Sequence, residues 1–295
     1  MGSVLCVAQT ARATTTTVTL ENASHASCAD VRMQQASYDC FAFSDGAINH
    51  NVYVTGQGPS VIVMHELPGF TSATLGFAER LKHAGFRVYL PHLFGAPMHD
   101  AAELNYLRLC INQEFARLRS NTSAPICDWL RALARQLSAQ QSGARIGVIG
   151  MCVTGAFAIP LVLEPGVAAG VISQPAIPFS LRYRIGFKDD GPWRYELNIS
   201  DADLDASAKR AARDGVPVVV QRFSADLLCP PQRIERIANA FGNQAQVHEY
   251  DKPRDDSKAP HALMTYEYDE APCIADNPTR VALQRVIGFL REHLG

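Results

Sequence analysis

This chain predicts an α/β fold: one mostly parallel central sheet with helices on both faces. Three observations carry that expectation. Short continuous apolar runs recur at residues 61–64, 86–90, 146–149, 169–172 and 216–223, the pattern of strands buried on both faces of a parallel sheet. Between them lie stretches with helical spacing at 73–84, 104–119, 126–138 and 231–241, and a final one opens at Asn277-Pro278. Strand and helix therefore alternate along the chain, which places helices on both sides of the sheet.

The remaining elements follow from local signals. Residues 38–43 and 51–55 alternate in the manner of an antiparallel pair joined near Asp45-Gly46, and 247–250 reads as a weaker last strand. Gly85 and Gly242 stand where helix C-termini favour glycine. Ser200, with Asp203 three residues on, has the spacing of a capping box. Residues 1–36 are rich in Ser, Thr and Ala and read as an N-terminal extension, either a flexible arm or an added edge strand. Residues 37–295 then form a single domain. The long interval 174–215 between two neighbouring strands is a candidate lid or pocket wall, with a surface embellishment as the alternative.

Composition narrows the function. With 47% hydrophobic and 19% charged residues the chain can bury a core, and its net charge of −2 gives no basic field for nucleic acid or an anionic membrane. The most apolar stretch, 156–172, is broken by Pro160, Glu164 and Pro165, so no membrane span is expected. The apolar run near Leu5 is short and has no basic residue before it, which argues against a signal peptide. Eight scattered cysteines lack CxxC or zinc spacing and read as reduced thiols of a cytoplasmic protein. A small-molecule substrate is left as the expected partner, with no metal and no organic cofactor.

Chemistry concentrates where a strand over 146–149 meets Gly150-Met151-Cys152-Val153-Thr154-Gly155 and an apolar helix. A nucleophile two residues after glycine, on a strained strand-to-helix turn, is the logic of a nucleophile elbow. A helix N-terminus there also favours thiolate over thiol. In an α/β-hydrolase the acid follows a later strand and the histidine follows the last one. The strand over 216–223 is followed by Asp226, and His261 lies between the last strand and the last helix. A buried inert cysteine, a helix-capping aspartate and an idle loop histidine are the plain alternatives. Three such residues in this order favour the reactive reading.

At these positions the chain resembles the dienelactone hydrolase family over residues 37–295. The likeness rests on His65-Glu66-Leu67-Pro68-Gly69, on Pro91-His92-Leu93-Phe94, on Gly150 to Gly155, and on the segments around Asp226 and His261. The resemblance implies Cys152 as nucleophile, His261 as base, Asp226 as its orienting acid, and the backbone N–H groups of Leu67 and Val153 as an oxyanion hole. It also implies that Glu66 hydrogen-bonds the resting thiol and takes its proton when substrate arrives; a structural salt bridge is the alternative. His65 should point to the opposite face from Glu66.

Several residues depart from the family pattern. Thr154 replaces a glycine, and Pro160 should kink the helix after Cys152. Thr265 stands where the family has an arginine that grips a substrate carboxylate, and Arg108, Arg117 and Arg119 are candidates for a second such arginine. Phe70, Phe94, Trp193, Met264 and Thr265 are the expected pocket residues. The expected activity is hydrolysis of a carboxylic ester or lactone through a thioester acyl-enzyme. A thioesterase or aryl esterase on the same fold, and a catalytically inactive binding protein, are the rivals.

Overall fold

The computed structural model describes residues 38–95, 123–177, 191–252, 259–270 and 277–295. Its strands are β1 (Asp39–Ser44), β2 (Asn49–Thr55), β3 (Ser60–Met64), β4 (Arg87–Pro91), β5 (Ile146–Met151), β6 (Val167–Ser173), β7 (Val218–Phe223) and β8 (Ala245–Tyr250). They form one sheet in the order β1-β2-β4-β3-β5-β6-β7-β8. The β1–β2 and β2–β4 pairs are antiparallel and every other pair is parallel. The expected extension over 1–36, the helix over 104–119 and the three candidate arginines on it lie outside the described residues.

The order explains the apolar runs. β3, β5, β6 and β7 are buried along their whole length, because helices cover both faces of the sheet. On one face pack α1 (Ser72–His83) and α7 (Pro278–Leu294); on the other pack α2 (Pro125–Gln140), the short α3 (Ala158–Leu161), α5 (Asp201–Asp214) and α6 (Pro231–Phe241). A short helix, α4 (Gly191–Tyr195), precedes α5. No helix among the described residues is long and apolar enough to cross a membrane.

Local signals hold with instructive exceptions. Thr71 caps α1 and Asn277 caps α7, which has proline in its first turn. Gly85, Gly215 and Gly242 take positive φ just past helix ends. At α5, Ser200 accepts the Asp203 amide at 2.9 Å, but the reciprocal bond of a capping box is absent. The Ser200 N–H donates instead to Ser123 Oγ, also at 2.9 Å, and Asp203 bonds both hydroxyls. The aspartate side chain is one methylene shorter than the glutamate that normally reaches back.

Two other expectations need correction. Part of the long 174–215 interval is not an insertion: α5 is the crossover helix that adjacent parallel strands β6 and β7 require. Leu204 and Ala211 of that helix are buried, and Arg210 bonds the carbonyls of Val162, Pro165 and Val167. Only 174–199 remains as extra chain. The cysteines are also not all reduced, since Cys40 is disulfide-bonded to a partner outside the described residues. Scattered spacing does not reveal a single pairing.

Gly147 and Gly288 test this packing in opposite directions. A Cβ on Gly147 would meet Leu290 Cδ2 at 2.8 Å and Leu294 Cδ1 at 2.9 Å, both in α7. Gly147→Ala is expected to lose about 1–3 kcal/mol in urea unfolding through overpacking. Gly288 is an exposed helical position with nothing within 4 Å of an added Cβ. Gly288→Ala should gain about 0.5–1 kcal/mol from helix propensity.

Candidate active site

Cys152 follows directly on β5 with φ of 54°, a conformation that side chains with a Cβ rarely adopt. Its neighbours explain how the turn is held. A Cβ at Gly150 would lie 2.3 Å from the Thr154 oxygen, and one at Gly155 would lie 2.6 Å from Pro175 Cα. Only glycine fits either place. Thr154, the departure from the family pattern, is fully buried, and its hydroxyl accepts the Met151 N–H at 3.1 Å. The same oxygen lies 3.0 Å from the Met64 carbonyl, 3.2 Å from that of His65 and 2.9 Å from that of Met151. It therefore fastens the elbow to the end of β3.

After Cys152 the chain makes a 3₁₀ turn, Cys152–Phe157, and only then the single α-turn of α3. The expected kink at Pro160 is thus replaced by a helix that is short from the start. Pro160 sits in its last turn.

His261 Nδ1 lies 2.7 Å from Asp226 Oδ2. The other carboxylate oxygen accepts the N–H groups of Leu228 at 2.8 Å and Cys229 at 3.1 Å. Asp226 thereby closes a turn with one oxygen and orients the imidazole with the other. Nε2 of His261 is buried and makes no hydrogen bond of full geometry among the described residues. It faces Cys152: one donor atom each from Glu66, Cys152 and His261 lie within 4.8 Å of one another. Burial works against a charge on the ring. The Cys152 sulfur and the Asp226 carboxylate together outweigh it and hold the His261 pKa well above the ordinary 6.5.

Glu66 stands at the end of β3 with 1% of its surface exposed. Burial pushes its pKa up, against hydrogen bonding from Thr265 and the nearby His261. Its partner is the Thr265 hydroxyl, which donates to Oε1. A thiol, an imidazole and a carboxylate so close together also suit a thiophilic cation such as zinc. The second nitrogen of the imidazole is held by Asp226.

The other expected residues separate into two groups. Leu67 follows Glu66 and is half-buried, and Val153 is the buried second residue of the 3₁₀ turn that Cys152 opens. Phe70 and Met264 have no exposed surface and present none to a substrate: Phe70 packs edge-on against Tyr53 and His65, and the Met264 sulfur lies 3.2 Å from Gln221 Nε2. Phe94 packs on His65 at 4.3 Å, and Trp193 lies under the Arg233 guanidinium at 4.9 Å. A cavity of about 230 Å³ opens beside Asp226 between Trp193, Arg194, Leu227 and Pro231. Cys152 and His261 do not line it, and it is smaller than ordinary ligand pockets, so it is not the acyl pocket.

Sequence reading missed two residues. Arg233 is fully buried, and its five donors meet four backbone carbonyls: Glu196 at 2.7 Å, Pro175 at 2.9 Å, Leu228 at 2.9 Å and Trp193 at 2.8 Å. It ties the chain after β6 to the loop that carries Asp226. Burial lowers its pKa to about 10, so it remains charged at neutral pH. Gln174, fully buried with φ of 33°, ends β6 beside the elbow. Neither position carries a motif. A positive φ at a non-glycine residue leaves no mark in sequence.

The model of the dienelactone hydrolase family matches residues 46–252. Solved structures with similar folds include a dienelactone hydrolase-like promiscuous phosphotriesterase from metagenomic libraries, with TM-score 0.60 and 16% identity over 88% of this chain and 98% of that one. A dienelactone hydrolase from Anabaena variabilis gives TM-score 0.54 and 11% identity over 88% and 98%. An esterase from Pyrococcus furiosus gives 0.53 and 15% over 89% and 95%. At such identities they speak for the α/β-hydrolase fold alone. No curated protein matches the chain in sequence.

His65 supplies a pH test of the site's foundation. It is fully buried, accepts the Leu93 N–H at Nε2 at 3.0 Å, and its pKa is lowered to about 3 by burial and by His92. Between pH 6.5 and 3 the unfolded chain therefore binds a proton that the folded one refuses, so stability falls as pH falls. From pH 7 to pH 5 the loss from this group should be roughly 2 kcal/mol in urea unfolding. His65→Gln, which keeps an acceptor, should flatten that limb.

Proposed function

Since this chain belongs to the dienelactone hydrolase family, we propose that it hydrolyses carboxylic esters or lactones with Cys152 as nucleophile, His261 as base and Asp226 as orienting acid. The observation that supports this most is the His261 Nδ1–Asp226 pair at 2.7 Å, with the opposite ring nitrogen left for Cys152. The raised His261 pKa suits a base that takes the Cys152 proton as the sulfur attacks.

In this mechanism the Cys152 sulfur forms a bond to the substrate carbonyl carbon, and the oxyanion lies between the N–H groups of Leu67 and Val153. The tetrahedral intermediate collapses as the C–O bond to the alcohol breaks, and His261 gives its proton to the departing oxygen. The acyl group is then a thioester on Cys152. Water adds to it as His261 Nε2 takes a proton, and the thiolate leaves with the acid as product. Asp226 holds the ring in one tautomer throughout. Glu66, buried and pushed toward its protonated form, is better suited to share a proton with the sulfur than to strip one from it at rest.

Thr265 shapes the substrate range. It offers a hydroxyl already given to Glu66, where the family pattern has a guanidinium. A neutral group does not replace a bidentate charge-assisted contact, which is worth about 1.5–3 kcal/mol. We therefore read the substrate as an ester or lactone without a carboxylate at that point. As for compartment, the disulfide at Cys40 is a bond of oxidising surroundings and weighs against the cytoplasmic expectation.

Two measurements test this reading. Cys152→Ala should abolish turnover on every ester the wild type cleaves, and retention of wild-type rates would refute the nucleophile. In steady state, the methyl ester of a dienelactone should be preferred over its free carboxylate by roughly tenfold or more. A preference for the carboxylate would require a cation from outside the described residues.

A further inference from the structure

Glu66 is buried, and no Arg or Lys of the described residues is paired with it, although His261 and Asp226 both act on it electrostatically. The Thr265 hydroxyl holds one side of its carboxyl. On another side stands Gln174, fully buried at the end of β6. Its backbone is left-handed, with φ of 33°, and its N–H donates to the Gln221 carbonyl at 2.7 Å. The Ser173 hydroxyl donates to Gln174 Oε1, and Gln221 Nε2 in turn donates to Ser173 Oγ at 3.2 Å. That chain fixes the acceptor end of the Gln174 amide and leaves its donor end pointing away.

Gln174 Nε2 is buried and completes no hydrogen bond of full geometry. It stands near enough to Glu66 to act against the upward push of burial on that carboxyl. A left-handed backbone at glutamine is strained, and a buried amide donor demands an acceptor, whereas a Leu or Met would fill the space without that demand. Both features at one residue beside a nucleophile mark a functional constraint.

We propose that Gln174 is a positioning residue: with Thr265 it grips the Glu66 carboxyl from two sides and sets its orientation toward the Cys152 sulfur. Two neutral donors, supplied from the end of β6 and from the turn after His261, thus do the holding that an ion pair would otherwise do. This rests on the reading of Cys152 and Glu66 given above.

The test uses iodoacetamide alkylation of Cys152, followed by peptide mass spectrometry across pH, because it needs no substrate. The full-length wild type is compared with Gln174→Met, Glu66→Ala and the double variant, with thermal unfolding measured on each. Gln174→Met should move the alkylation profile in the same direction as Glu66→Ala and lower kcat about fivefold or more with little change in KM. In the double variant it should add less than about twofold to Glu66→Ala, the non-additivity expected of coupled residues. Additive effects, or an unmoved profile in a folded Gln174→Met, would overturn the proposal. Gln174→Glu keeps the shape but sets a second carboxyl beside the first, and should slow alkylation at neutral pH. A profile identical to wild type would also overturn it. Failure of the Cys152 assignment would show separately, as turnover surviving Cys152→Ala while the coupling between Gln174 and Glu66 persists.

Discussion

The arrangement depends on one backbone conformation, the left-handed turn at Cys152. Such a conformation costs about 1–3 kcal/mol and persists only where its surroundings leave no alternative. Here they come from three strands. Gly150 admits the Thr154 carbonyl, Gly155 admits Pro175 from beyond β6, and the Thr154 hydroxyl reaches the carbonyls that end β3. The Cys152 carbonyl also accepts the Ala176 N–H at 2.9 Å. Threonine at a position where the family pattern has glycine is therefore not a tolerated blemish. Its hydroxyl supplies a cross-link between β3 and β5 that glycine lacks, and this link brings Glu66 up to the sulfur.

Charge is managed with the same economy. Asp226, His261, Glu66 and Cys152 gather in a buried space, where an unpaired charge is costly. The buried Arg233 is bound to carbonyl dipoles rather than to a carboxylate. Its charge is consequently not cancelled locally, and it acts favourably on both Asp226 and Cys152. The same side chain joins Pro175, Trp193, Glu196 and Leu228, so one residue fixes the approach to the elbow and the loop of the acid together.

What the sequence showed and what it hid divide along physical lines. Buried strands such as β3 and β5 were legible because a surface covered on both faces demands unbroken apolar residues, and Cys152, Asp226 and His261 were legible because chain order is a property of sequence. The strand ends were less so. The expected start at 216 became Val218, since Val216 is a buried residue that bonds back to Ala211 at the end of α5 rather than pairing in the sheet. Crossover and insertion were confused in 174–215 because length alone does not separate them. The contacts of Arg233 and Gln174 join residues far apart in the chain through backbone carbonyls, and every residue type has a carbonyl. Phe70 and Met264 were apolar residues at apparent pocket positions, and apolarity does not distinguish a pocket wall from a core.

Thr265 connects the chemistry of the site with its choice of substrate. An arginine there would do two things at once: neutralise Glu66 and attract a carboxylate on the substrate. Threonine does neither by charge. Without that cation, burial dominates at Glu66 and its pKa rises. A carboxyl nearer its neutral form adds less negative charge beside the thiolate, and an acyl group without a charge of its own asks for no cation in return. On this reading, a neutral substrate and a proton-sharing Glu66 are consequences of the same substitution. Restoring an arginine at 265 would then change the resting state of Glu66 as well as the specificity.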